Sequence, residues 1–311
     1  MIEELSKICK TIESENLKKY NTYKIDCSCK VIIFPSTIDE LKESLNIIKK
    51  NKSKWFILGN GSNIILPKYY DGVIIKLDNL NKRVINDDNI YVESGYMLNK
   101  LANELSNKGF TGIEWATGIP GTVGGAIYGN AGAYKSSMSE ILVDVTLLDN
   151  ENIITLKNEE LEFNYRDSLL KHRKDLIVLS CNIKLEKGNT EEIKKTIEER
   201  TLKRIETQPL EYPNCGSVFR NPEGMAAGKL IDDLGLKGYT EGGAKISEKH
   251  ANFIINYDNA TSEDIIKLIE LIKNKIKKNY NIDLVLEQEI IKWYKKMIEL
   301  FNHFLITYLK I

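Results

Sequence analysis

Apolar residues along this chain recur at two spacings, and most of the elements can be read from them. Val31-Ile-Ile-Phe34 is an unbroken apolar run short enough to be a buried strand, and Trp55 to Leu58 returns as another. Between them, Thr37-Ile-Asp-Glu40 forms a capping box that opens a helix with Ile38, Leu41, Leu45 and Ile48 on one face. Val73 to Leu77 and Ile90 to Glu93 predict strands, and Met97 to Lys108 a helix. Ile141 to Leu148 and Ile153 to Leu156 predict a hairpin around Asp149-Asn-Glu-Asn152, followed by a strand over Leu176 to Leu185. Thr190 to Ile205 is a charged helix, after which Pro209, Pro213 and Pro222 mark irregular chain and a domain boundary near 190–205. The last third predicts a helix over Ala226 to Leu234, a strand over Ala251 to Ile255, a long helix over Ser262 to Tyr280 and a strand over Asp283 to Ile290. Met297 to Ile311 is apolar but broken by Glu299, Asn302, His303 and Lys310, which predicts an amphipathic helix rather than a membrane span. The mixed order is that of an α+β protein.

Glycine changes this picture most. Of the 20 glycines, 15 fall between Gly109 and Gly132 or between Gly216 and Gly243, and residues 1–58 and 244–311 hold none. Glycine allows positive φ and close approach of the main chain, so these windows read as loops that wrap a ligand. Trp115 to Tyr134 is almost uncharged in a chain that is 28% charged. Small residues of this kind can surround a flat or phosphorylated ligand with their own N–H and C=O groups, or can form a tight crossing between subdomains. Leu58-Gly-Asn-Gly-Ser-Asn-Ile64 follows a strand, as phosphate-binding turns do. Ile64 stands where a dinucleotide fingerprint needs its third glycine, so a Rossmann unit is disfavoured. Gly228-Lys229 fails as a P-loop, and Ser168-Leu-Leu-Lys171 matches S-x-x-K without the companion motifs of acyl-serine enzymes, so it reads as chance.

Composition then narrows the function classes. The 311 residues are 42% hydrophobic, with 44 basic and 44 acidic side chains, so there is no global pull toward nucleic acid or an acidic membrane face. Cys9, Cys27, Cys29, Cys181 and Cys215 are too scattered for a disulfide framework or a zinc site, which fits a reducing cytoplasm. The charged opening, with Glu3, Glu4 and Lys7, lacks the pattern of a secretory signal. His172, His250 and His303 lack metal-ligand spacing, so no metal is expected.

Six segments, in order, resemble the UDP-N-acetylenolpyruvoylglucosamine reductase (UDP-N-acetylmuramate dehydrogenase) family. They are Gly59 to Ile64, Gly112 to Ala126, Asn130 to Tyr134, Tyr165 to Ser168, Gly216 to Pro222 and His250 to Phe253, within a match from about Asn21 to Glu289. The resemblance implies an FAD-binding fold of the p-cresol methylhydroxylase type, with two α+β subdomains over residues 1–70 and 71–190 and an α+β substrate-binding domain over 191–290. A tail over 291–311 has no assigned role. No tyrosine-bearing insertion separates the motifs, as in the family's shorter class. Implied cofactor contacts are Gly59, Asn60, Gly61, Ser62 and Asn63, then Thr117, Gly118, Ile119, Pro120, Gly121, Thr122, Gly124, Gly125 and Ala126, then Asn130, Ala131 and Gly132. With no histidine between Gly59 and Tyr134 for covalent attachment, FAD is expected to be non-covalent.

By the same resemblance the enzyme is a cytoplasmic NADPH-dependent flavoenzyme, expected to be a monomer, that makes a peptidoglycan precursor from a UDP-sugar. Reducing an enol ether conjugated to a carboxylate needs a hydride donor, a cation near the developing enolate and an acid for the adjacent carbon. The resemblance gives these roles to reduced FAD, Arg166 and Ser217, with Glu289 assisting. Taken singly, Arg166 also reads as an ion-pair partner of Asp167, Ser217 as a turn residue and Glu289 as a solvated carboxylate, and Glu287 is the alternative to Glu289 in the assisting role. Three departures stand out. Asp26-Cys27 replaces a usual Gly-Gly pair, Lys135 replaces a usual glycine, and Ile291 replaces a usual arginine. The rival functions are another FAD oxidoreductase of this fold and a catalytically silent nucleotide-binding module.

Overall fold

The computed structural model describes residues 1–291, so the helix expected over Met297 to Ile311 and nearly all of the tail lie outside the described residues. Three sheets carry the chain. The first runs Lys10–Glu13, Ser28–Phe34, Tyr69–Ile75, Trp55–Ile57, with the last three strands parallel. Both of its faces are covered, which is why its parallel strands carry the apolar runs Val31-Ile-Ile-Phe34, Trp55-Phe-Ile57 and Val73-Ile-Ile75. Val31, Ile33, Val73 and Ile75 pack under the helices Ile2–Ile8 and Ile38–Lys50, while Ile32, Phe34 and Ile74 face the C-terminal third. Thr37 caps the second helix by accepting the Glu40 amide (3.1 Å), and the Glu40 carboxylate returns to the amide of Ser36 (2.7 Å) rather than that of Thr37. The strand Tyr69–Ile75 belongs to this first sheet and so runs past the limit expected at residue 70.

The second sheet is antiparallel, in the order Asn152–Lys157, Leu142–Asp149, Leu176–Lys184, Asn89–Glu93, Arg83–Asn86. Val145, Leu147, Val178 and Cys181 face the helices Leu98–Asn107 and Val123–Tyr128. Leu148, Ile177 and Leu179, one residue out of phase, join the first sheet's core, so side-chain alternation locks the two subdomains together. The helix Thr190–Thr207 leads to the third sheet, Asn214–Ser217, Phe253–Asn256, Ala244–Ile246, Thr240–Glu241. Against it lies Ser262–Tyr280, opened by a capping box from Thr261 and Asp264 and burying Ile265, Leu268, Ile269, Ile272 and Ile276.

Two expectations need correction. The strand expected over Asp283 to Ile290 is reduced to Glu289–Ile290. The segment changes partners as it goes: Val285 accepts from the Arg220 amide, Glu287 donates to Val218, and Glu289 and Ile290 pair in parallel with Ile64 and Ile65. No single ladder can run through such a strap. The strand expected from Ala251 starts at Phe253, whose amide closes a turn onto the His250 carbonyl (3.0 Å).

Candidate active site

A cavity of about 1120 Å³ opens where the three units meet. One wall is the turn Gly59 to Asn63, at the carboxyl ends of the parallel strands Trp55–Ile57 and Tyr69–Ile75, where parallel sheets place ligands. Its carbonyls are held from outside: Gly59 accepts from Lys76 Nζ (2.6 Å), Gly61 from the Thr22 amide (3.1 Å) and Asn63 from the Glu289 amide (3.0 Å). The backbone amides of Gly59 to Asn63 donate to no group among the described residues. A run of unpaired N–H groups on a cavity wall is an anion-binding nest, and it fits the diphosphate of a dinucleotide such as FAD. Gly61 is at φ +65° against the Tyr20 carbonyl.

The second wall is Ile119 to Thr122 with Gly124, Gly125 and Ala126, tied to the first by Asn60 Nδ2 donating to the Pro120 carbonyl (2.6 Å). Thr122 caps the helix Val123–Tyr128 through the Gly125 amide (3.3 Å), and a Cβ at Gly124 would lie 2.9 Å from that of Ser94, so glycine lets this wall press on the second sheet. Ala131 and Gly132 also line the cavity; Thr117, Gly118 and Asn130 do not. The carbonyls of Gly118 and Asn130 hold residues that do, Arg204 and Arg166. The Thr117 hydroxyl donates to Glu114, the Gly118 carbonyl accepts from the guanidinium of Arg204, and Asn130, 5% exposed, donates to the Asn164 carbonyl and accepts from the Ser139 amide.

Arg166, Ser217 and Glu289 come from three distant parts of the chain and all line this cavity. Arg166 donates through Nε to Glu287 (2.7 Å) and through its terminal nitrogens to the Gly132 carbonyl (2.6 Å) and the Asn130 carbonyl (3.5 Å). Its partner is thus Glu287, not Asp167, which pairs with His172 (3.2 Å). The Ser217 hydroxyl has no hydrogen-bond partner among the described residues. Glu289 accepts from the Tyr128 hydroxyl (3.1 Å) and lies 3.6 Å from Lys171 Nζ. Burial, with Glu289 beside it, pushes the Tyr128 phenol above its ordinary range, and burial lowers Lys171 despite Glu289.

Sequence reasoning did not find Tyr128, Lys171 or the pairing of Glu287 with Arg166. Lys171 was visible only as the end of Ser168-Leu-Leu-Lys171. In the structure Ser168 is 1% exposed and gives its hydroxyl to the Tyr128 carbonyl (2.7 Å), so the motif aims Lys171 and makes no nucleophile. The departures from the family pattern are also resolved locally. Asp26 and Cys27 avoid positive φ, which falls instead on Lys24 (φ +54°). Ile291 extends the strap by donating to the Ile65 carbonyl (3.0 Å). Lys135 sits at φ +68° in the turn between Gly132–Ala133 and Ser136–Ser137. A side chain there costs ~1–2 kcal/mol, so Lys135→Gly should stabilise the protein by about 1 kcal/mol after the added chain entropy of glycine. A thermal melt should shift upward by a few degrees, and a downward shift would mean that the lysine makes a compensating contact.

The chain is similar to known proteins along most of its length. Residues 29–155 match the model of an FAD binding domain, and residues 208–291 match that of the UDP-N-acetylenolpyruvoylglucosamine reductase C-terminal domain. The chain is 44% identical over 292 residues to the UDP-N-acetylenolpyruvoylglucosamine reductase of Caldanaerobacter subterraneus subsp. tengcongensis, covering 93% of this chain and 96% of that one. It is 41% identical over 296 residues to that of Bacillus subtilis strain 168, covering 94% and 98%. The crystal structure of the reductase from Thermus caldophilus superposes with a TM-score of 0.78 at 30% identity, over 91% of this chain and 99% of that one.

Proposed function

The chain belongs to the UDP-N-acetylenolpyruvoylglucosamine reductase family, and from that premise we propose how its own residues carry the reaction. It is an FAD-dependent oxidoreductase that uses NADPH to reduce the enolpyruvyl group of UDP-N-acetylglucosamine enolpyruvate, giving UDP-N-acetylmuramate for peptidoglycan. Bound FAD would supply the two-electron hydride chemistry that links NADPH to the enolpyruvyl double bond.

The protein residues bind, orient and move the proton. The unpaired amides of Gly59 to Asn63 hold the diphosphate, and the Ile119 to Ala126 wall together with Ala131 and Gly132 receives the rest of the non-covalent cofactor. Arg166 is pinned by Glu287 and two backbone carbonyls, so its guanidinium is pre-oriented for the substrate carboxylate and developing enolate. Ser217 carries a hydroxyl free of protein partners on the cavity wall, suited to give a proton to the carbon next to the one that receives hydride. Glu289, held by Tyr128 and Lys171, is the better placed of the two carboxylates to assist that proton, because Glu287 is committed to Arg166. The first two units hold the flavin, and the third, from 191 onward, covers the substrate. A monomer in the cytoplasm belongs to the same proposal, as the family resemblance implies. Among the described residues no helix is long and apolar enough to cross a membrane.

The observation that carries this reading is the convergence of Arg166, Ser217 and Glu289 on a cavity walled by unpaired turn amides. The test is a flavin absorbance spectrum of the purified protein. NADPH should bleach it, and the enolpyruvyl substrate should restore it under anaerobic conditions. Bleaching without restoration would point to another substrate, and no bleaching to a silent module.

Arg166→Lys should also be damaging, because an ammonium cannot present two parallel N–H groups while keeping the Glu287 and Gly132 contacts. Loss of one such donor costs about 10² in rate. Stopped-flow reoxidation by the substrate measures this, and near-normal reoxidation would remove Arg166 from the site.

A further inference from the structure

Lys76 is a buried cation for which the reaction has no direct use. It follows the strand Tyr69–Ile75, its side chain is 4% exposed, and it lies behind the cavity wall rather than on it. Its ammonium donates to the Gly59 carbonyl (2.6 Å), pairs with Asp78 (3.1 Å) and stands 5.6 Å from the centroid of the Tyr20 ring. A buried ammonium is expensive unless its charge is needed. The Gly59 carbonyl by itself requires only a neutral donor. Its other contact, Asp78, lines the cavity and brings a negative charge to the side where the amides of Gly59 to Asn63 stand unpaired.

We propose that Lys76 is a positioning residue for the cofactor's diphosphate, acting through the Gly59–Asn60 peptide, with Asp78 limiting its field. The ammonium fixes the carbonyl of that peptide away from the cavity, which turns the Asn60 N–H toward it. It also places a positive charge one peptide unit behind the nest, where it polarises the amides that meet the anion. The inference rests on the reading of Gly59 to Asn63 as the diphosphate turn.

The test is titration of apoprotein with FAD, followed by flavin fluorescence, on Lys76→Gln and Asp78→Asn. Lys76→Gln keeps a donor for the Gly59 carbonyl and removes the charge, so FAD should bind about tenfold more weakly. Asp78→Asn breaks the same ion pair but frees the ammonium's field, so FAD should bind several-fold more tightly. A purely structural ion pair would weaken binding in both variants. Loss in both, or no change in Lys76→Gln, overturns the proposal. Should Lys76→Gln fail to fold, Asp78→Asn decides alone, and unchanged or weaker binding there overturns it. Gly61→Ala separates the two levels of the argument. If it loses FAD while Lys76→Gln does not, only the role of Lys76 fails; if it keeps FAD, the diphosphate reading itself fails.

Discussion

Ser217→Ala is expected to leave FAD binding and NADPH-driven bleaching intact while slowing reoxidation by the enolpyruvyl substrate by ~10²–10⁴, the usual loss on removing a general acid. Hydride uptake from NADPH requires no proton from Ser217, so the two half-reactions should separate cleanly. The hydroxyl has no protein partner among the described residues, and the residue is held by its backbone in the strand Asn214–Ser217, opposite Phe253. Alanine therefore removes one oxygen and leaves the scaffold in place. Stopped-flow absorbance measures each half-reaction in turn. Equal slowing of both would mean that Ser217 shapes the flavin site, and unchanged reoxidation would move the acid role to another group, with Glu289 the first to test.

Much of the fold was legible because local rules and tertiary packing agree. Ser262–Tyr280 has its capping box, its apolar stripe and a C-terminal Asn281 at φ +56°, so its limits could be read from sequence. The helix Ile2–Ile8 was missed because it has no side-chain cap and buries only Leu5. Asp283 to Ile290 was misread because the apolar run Leu284-Val-Leu286 looks like a strand whether its backbone meets one partner or several.

The site divides in the same way. Gly59 to Asn63 and the loop after Trp115 were visible because their function lies in the backbone, and backbone demands leave glycine and small residues in the sequence. The Arg166–Glu287 pair joins residues 121 apart, and the Tyr128–Glu289 contact joins residues 161 apart. No spacing rule reaches that far. Which of Glu287 and Glu289 pairs with Arg166 is decided only by the strap, whose Glu289–Ile64 register fixes where each carboxylate lies.

Gly61→Ala is expected to abolish useful FAD binding. At φ +65° an added side chain costs ~1–2 kcal/mol in backbone energy. A second cost comes from space, because the new Cβ would overlap the Tyr20 carbonyl and crowd the Asn21 Cα, which are backbone atoms that cannot rotate aside. Overpacking of this kind adds about 1–3 kcal/mol. The Gly61 carbonyl also anchors the Thr22 amide, so relief must come from moving the turn itself and with it the amides that line the cavity. If that strain is released only by leaving the binding geometry, a penalty of about 3 kcal/mol weakens FAD by more than 10². Gly224→Ala supplies the control. Gly224 has a similar φ of +69° but no atom within 4 Å of the added Cβ, so it carries the backbone cost without the overlap. Titration of both apoproteins with FAD, with thermal melts alongside, isolates the second cost. Equal FAD affinity in the two variants would mean that the Gly59 to Asn63 turn does not hold the cofactor.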